Sequence, residues 1–438
     1  MKTQYGQYST EEQRSQAGCI AARMQRGLRH GLLGAALALV VVGGQTESTE
    51  THTPIASRWN YNEHLFPIFR DNCGSCHRDG GIAPMSLVSY QSAYPWAQSI
   101  REEVLGLRMP PWKAEDGFGD FRNGHALPAH EMDMILEWSS GGYPQGPRAL
   151  RPEPPAAPDE WPLGAPDLEL EMPEPFTLDA GTNELVRYFV LPAGTTGEQF
   201  VTGADVMPGA GAVVRDVAIY IDATGTARAL DAEDDGPGFG EAEGRDFPIT
   251  PPLALWSPGR PSVRQEDAGH RLPAGADIVA RVHYKKTWIT EYEEFVDQGR
   301  IGLYLGDQSH RPVESLLLSS PDRTDNLTLT FSQRVDQEVS ALAILPEIAI
   351  EARDVQVVAA TPDGTRVPML FLREPDTAWP TRYWFDAPIE LPAGSTIEVN
   401  AILHPGADHA PGQSLFGADP SAPIRLVVDY ATGARQAD

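Results

Sequence analysis

Asp71-Asn72-Cys73-Gly74-Ser75-Cys76-His77 is the stretch on which the reading of this chain turns. Cys-x-x-Cys-His is the spacing that attaches a c-type haem: both thiols can add to the haem vinyl groups, and the histidine that follows at once is carried beneath the porphyrin as the proximal iron ligand. A zinc site would need two further Cys or His ligands at motif spacing, and a thioredoxin-type CxxC would need a βαβ setting. Neither is present. Cys73, Cys76 and His77 are therefore the candidate cofactor-binding residues, and haem c, covalently held, is the expected cofactor.

Helical periodicity surrounds the motif. Leu65, Ile68 and Phe69 fall at helical spacing before it, and Trp96, Ile100, Val104 and Leu107 recur every three or four residues after it. A third helix is predicted around Met134, Ile135 and Trp138, stopping at Gly141-Gly142. Three short helices about a CxxCH are what a small all-α class I cytochrome c domain requires, here over residues 57–146. Its sixth iron ligand should be a thioether or a second imidazole, and the candidates are Met85, Met109, His125 and His130. Met109 is the choice, because in Arg108-Met109-Pro110-Pro111-Trp112 a helix ends and prolines stiffen a loop able to fold over the distal face. Met85, a few residues past His77, is the alternative and reads better as packing beside the ring. His125 and His130 read as residues of a surface loop and a helix start.

The N-terminus agrees with an exported redox protein. Residues 1–44 form a polar stretch ending in Arg23, Arg26, Arg29 and His30, followed by the apolar run Leu32 to Val42, which is a signal-peptide pattern. Met24 would make a tidier start than Met1. The run is shorter than the roughly 20 residues a spanning helix needs, so the expected location is periplasmic or extracellular, with an uncleaved membrane tether as the alternative. Residues 45–56 read as a polar spacer. Only three cysteines occur, and Cys19 would leave with the signal segment, so no structural disulfide is expected. A formal charge of −27 argues against nucleic acid as a partner and for solubility or basic redox partners.

The 438 residues, 41% hydrophobic, suffice for two or three domains. Residues 147–166 contain Pro152-Glu153-Pro154-Pro155 and read as an extended, stiff linker. Beyond it, short runs such as Val213 to Ile221, Ile278 to Tyr284 and Ile397 to Leu403 alternate with Gly/Pro/Asp turns, which predicts all-β sandwiches. The phrase Leu-Pro-Ala-Gly recurs at 191, 272 and 391, and the last two lead into strands ending in His283 and His404. Two related jelly-roll-like sandwiches over 167–320 and 321–438 are expected, the division falling between Asp307 and Gln333.

A family resemblance enters on these residues. Cys73 to His77, Ile82 to Leu87, Pro95-Trp96, Met109 to Trp112, Glu137-Trp138, Trp161 to Asp167 and Glu171 to Phe176 resemble the cytochrome domain that bacteria fuse to copper type II, ascorbate-dependent monooxygenase modules. The resemblance implies two sandwiches like those of peptidylglycine alpha-hydroxylating monooxygenase, each holding one copper with the substrate between them.

The copper ligands depart from that family. Where it has a His-His pair the chain reads Val213-Val214-Arg215-Asp216-Val217, and where it has His-x-His the chain reads Pro346-Glu347-Ile348-Ala349. A guanidinium cannot ligate a metal. No histidine lies between His310 and His404, and the last methionine is Met369. Only His283 matches a family copper ligand, the third histidine of the first site, and a rebuilt site from His270, His283, His404, His409, Asp216 and Glu347 fits no known ligand spacing. Copper is therefore not expected. The sequence reads as an exported haem electron-transfer protein, with electron transfer rather than oxygen chemistry supported and an ascorbate-type copper monooxygenase as its class if it is an enzyme, whose double sandwich binds an unknown ligand and which exchanges electrons with a periplasmic redox partner. The rival readings are a haem-coupled copper-dependent monooxygenase with a rebuilt metal site, and a structural subunit whose haem reports redox state.

Overall fold

The computed structural model describes residues 56–438 apart from 125, 156–159, 242–246, 248–249, 322–326, 377, 408–413, 417–421 and 434–438. The expected signal segment, Cys19, Met24 and nearly all of the spacer lie outside the described residues, as do His125 and His409.

Helices form where the periodicity places them. A π turn Tyr61–Leu65 runs into the helix Phe66–Asn72, whose Phe66, Ile68 and Phe69 are buried. Asn60 caps the start by accepting from the Glu63 backbone N–H, and Cys73 caps the end. The helices Ala97–Leu105 and Ala129–Ser140 turn Ile100, Val104, Ile135 and Trp138 onto the same core. Leu107 leaves that pattern: it lies past the helix end with φ of 52° and is exposed. Gly141 ends the third helix as the Gly-Gly signal requires.

The remainder is a predominantly β structure. A five-stranded sheet has the order Phe239–Gly240, Glu184–Pro192, Asp277–Lys285, Val214–Asp222, Ala254–Trp256, and a four-stranded sheet the order Thr328–Arg334, Thr396–Leu403, Ala352–Ala360, Arg366–Arg373. Both pack on one eight-stranded sheet, ordered Leu168–Glu171, Arg300–Gly306, Gln199–Met207, Ala268–Leu272, Arg311–Ser319, Ile424–Thr432, Val339–Ile348, Tyr383–Leu391. Its first four strands face the five-stranded sheet around Val217, Ile219, Ile278 and Leu303, and its last four face the four-stranded sheet around Ile344, Val357, Val399 and Leu426. The two halves meet where Arg311 and Pro312 pair in parallel with Ala268 and Gly269.

Two boundaries differ from the sequence reading. Arg311–Ser319 pairs along its length with Ile424–Thr432, so it belongs to the second half, and the division falls at 307–310, at the start of the expected 307–333 window rather than at 320. Residues 113–123 also leave the helical unit. Ala114 bridges Leu372, Phe121 bridges Phe385, and Trp112 is buried in the second sandwich against Tyr383. Buried aromatic area is the reason: Trp112 and Phe121 find an apolar seat in that sandwich.

Strand periodicity positions the functional face. In Asp277–Lys285, Ile278, Ala280, Val282 and Tyr284 point into the first sandwich, while Val279 packs on Leu345 and Val427 of the second half. A period of two therefore sends Arg281 and His283 to the side that faces the second half.

Candidate functional site

The CxxCH segment leaves the helix Phe66–Asn72 as a turn, with the His77 N–H donating to the Cys73 carbonyl at 2.8 Å. Cys73, Cys76 and His77 line a mostly apolar cleft with Ile82, Pro84 and Leu87, enclosing about 960 Å³ of atom-free space with solvent at its mouth included. The two cysteines form no disulfide. Burial pushes the Cys73 thiol up to about 12 and raises Cys76 as well, so neither is an activated thiolate of the redox-motif kind.

His77 is set for metal binding. Its Nδ1 donates to the Met85 carbonyl at 3.1 Å, which fixes the tautomer and leaves Nε2 with a free lone pair. Burial lowers its pKa, keeping the ring neutral. The same bond locates Met85: its backbone holds the proximal ring, and its side chain packs on the helical core. Met109 lines the cleft from the loop beyond the helix Ala97–Leu105. His130 is exposed on the first turn of Ala129–Ser140 and is not among the cleft-lining residues. One imidazole, two unbridged thiols and the thioethers of Met85 and Met109 around an apolar slot form a donor set that fits a covalent haem c.

The sandwiches complete this cleft, which the sequence did not indicate. Arg215, Thr287 and Trp379 line it together with the helical residues. Arg215 lies 3.1 Å from the Trp379 ring centroid and donates to the Ala378 carbonyl, so the residue that the sequence resemblance aligned with a copper histidine is a wall of the CxxCH cleft. The turn Ser257-Pro258-Gly259-Arg260 reaches in from the first sandwich. Proline second and glycine third, with Gly259 at φ 79°, make a type II turn. Cys76 Sγ lies 3.4 Å from the Pro258 carbonyl, and a Cβ on Gly259 would come within 2.7 Å of Ser75 Oγ. Arg260 donates to the Pro111 carbonyl at 2.6 Å and lies over Trp112. Ser-Pro-Gly is a turn signal in the sequence, but nothing local states what the turn touches.

A second cleft, of about 2050 Å³ with open solvent included, separates the sandwiches and shares Trp379 with the first. On its wall His283 Nδ1 is 2.8 Å from Asp216 and Nε2 is 2.9 Å from Glu184. Both ring nitrogens of His283 are thus engaged by carboxylates. Asp216 also pairs with buried Arg281, and Glu347 with buried Arg425. Ion pairs thus occupy the positions that the sequence resemblance aligned with copper ligands. Of the other residues considered for a rebuilt site, His404 bonds Glu374, and His270 lines a separate small cavity with Gln265 and Arg382. Among the described residues of that set, only Asp216, His283 and Glu347 share a cleft.

No family model matches the chain, and no curated protein matches it. Solved structures similar to it include the major capsid protein P2 of bacteriophage PM2, at TM-score 0.25 and 9% identity over 61% of this chain and 98% of that one. Another is the cowpea mosaic virus top component, at TM-score 0.24 and 9% identity over 61% of this chain and 89% of that one. An allantoicase matches at TM-score 0.16 and 11% identity over 55% of this chain and 76% of that one. Likenesses this low carry no argument about function.

Proposed function

We propose that the chain is a c-type haem electron-transfer protein whose double sandwich, related to that of copper type II monooxygenases, serves as a binding module without copper. The observation that carries this reading is the His77 ring held through Nδ1 by the Met85 carbonyl, in one apolar cleft with Cys73, Cys76 and Met109. Cys73 and Cys76 would hold the haem, His77 and Met109 would be its axial ligands, and the bound group supplies one-electron exchange. The chain's own part is orientation and exclusion of water. The Met85 carbonyl aims the imidazole, Pro258 and Gly259 close over the attachment segment, and the Arg215–Trp379 stack walls the cleft toward the sandwiches.

Trp379 borders both clefts, so a ligand between the sandwiches lies one indole away from the haem cleft. That arrangement suits a protein whose redox state and ligand occupancy are read together. The monooxygenase rival has the contact of Asp216 with His283 in its favour, but the second carboxylate on His283 weighs against it. The test is reversible spectro-electrochemistry of the haem-loaded full chain, alone and with metal analysis. A one-electron haem couple without stoichiometric copper is expected. Substrate-dependent oxygen uptake that copper restores after chelation would favour the rival.

A further inference from the structure

We propose that the loop from Thr287 to Val296 is the docking surface for a basic electron-transfer protein. This rests on the haem reading above and adds the surface and the partner's charge to it. The loop leaves the strand Asp277–Lys285 and runs beside the haem cleft: Thr287 lines the cleft, and the Trp288 ring lies 6.2 Å from Trp96 of the helical unit. Trp288 is 62% exposed, Ile289 46%, Tyr292 84% and Val296 57%. Single exposed apolar residues are ordinary, but three on one short loop that begins at the cleft-lining Thr287, with Val296 following on the strand Phe295–Asp297, form a patch.

The loop is not a floppy excursion. The Thr290 N–H donates to the Thr287 carbonyl at 2.9 Å and the Glu293 N–H to the Thr290 carbonyl at 3.0 Å, so successive turns hold the side chains outward. Presenting them costs hydration that a partner would recover.

Charge selects the occupant. Glu291, Glu293 and Glu294 interleave with the aromatics, and no Lys or Arg occurs from Thr287 to Gly299. An apolar centre with an anionic rim repels an anionic lipid surface, and repels a second copy of a chain with formal charge −27. It matches a protein whose lysines and arginines surround its own redox centre. Redox encounters of this kind bury less than about 1,200 Å² and gain speed from steering rather than strong affinity.

The experiment uses the full haem-bearing chain, reduced, and mixed by stopped flow with equine heart cytochrome c, a basic c-type cytochrome, or with p-benzoquinone, a small uncharged oxidant. Variants are Glu291→Gln/Glu293→Gln/Glu294→Gln and Trp288→Ser/Tyr292→Ser. Wild-type oxidation by the cytochrome should slow as salt rises. The triple variant should cut the low-salt rate about tenfold and flatten the salt dependence. The double variant should cut the rate several-fold at physiological salt, while benzoquinone oxidises all three proteins alike. Variants that match wild type against the cytochrome, with salt dependence intact, overturn the proposal by placing docking elsewhere on the acidic surface. A wild-type chain that neither carries haem nor reacts with benzoquinone overturns the haem reading, and this proposal with it.

Discussion

The Arg260 guanidinium, carried by the first sandwich, donates to the Pro111 carbonyl of the loop that carries Met109, at 2.6 Å. The same side chain lies 4.9 Å from the Trp112 ring centroid, and Trp112 is seated in the second sandwich. Three parts of the molecule are thus bolted at one residue. A charged hydrogen bond contributes about 1.5–3 kcal/mol and a desolvated cation–π contact up to about 2 kcal/mol. Arg260→Ala should therefore loosen the distal loop and let exogenous imidazole displace Met109 at least about tenfold more readily, with Arg260→Lys intermediate. An optical imidazole titration that is superimposable for wild type and Arg260→Ala would remove Arg260 from this role.

Met109 and Met85 play different parts. Both line the cleft, but Met85 also holds His77 through its backbone carbonyl, a bond that a side-chain change preserves, whereas Met109 reaches the cleft from the loop after the helix Ala97–Leu105. Met109→Ala should abolish the weak sulfur-to-iron absorption band and lower the haem potential, because thioether ligation favours ferrous iron. Met85→Leu should keep the band. The opposite pattern in the two variants would make Met85 the ligand.

Much of this was legible in the chain. The helices ending near Asn72, Leu105 and Ser140 follow from apolar spacing and from Gly141, and the strands around Ile219, Ile278 and Val399 from alternation between turn residues. What was not legible is non-local. Trp112 reads as part of a helical domain's distal loop, yet it is buried in a sandwich formed more than two hundred residues later, which no local pattern states. The destination of Ser257–Arg260, the pairing of Arg311–Ser319 with the second half, and the role of Trp379 in two clefts are of the same kind. At His283 the sequence supplied a lone candidate ligand. Its two carboxylate neighbours come from the two strands that flank it, Asp216 on one side and Glu184 on the other.

Those neighbours make copper binding testable. Purified chain loaded with copper and dialysed should retain less than stoichiometric metal, and His283→Ala should not change the amount. Stoichiometric copper that is lost in His283→Ala would mean that Asp216 and Glu184 give up the ring to a metal, and the monooxygenase reading would then lead.

Acid stability offers a further check on the small cavity around His270. Burial first, and the nearby Arg382 cation second, hold His270 down to about 3, against its ordinary value of 6.5. The folded protein refuses a proton that the unfolded chain accepts, so stability falls as pH drops from about 6.5 toward 3, by at most about 1.4 kcal/mol per pH unit from this group. His270→Gln should lose stability less steeply than wild type across that window, read by denaturant melts at several pH values. Parallel pH slopes for the two proteins would show that His270 titrates normally.

The central claim is covalent haem on Cys73 and Cys76. The direct measurement is intact mass of the chain, produced with c-type cytochrome maturation, after denaturation and acid-acetone extraction, for wild type and for Cys73→Ala/Cys76→Ala. The expected result is a wild-type mass raised by one haem, with the red chromophore staying on the protein and absent from the double variant. Wild-type protein that gives up all its haem to the solvent, or carries none, would contradict it.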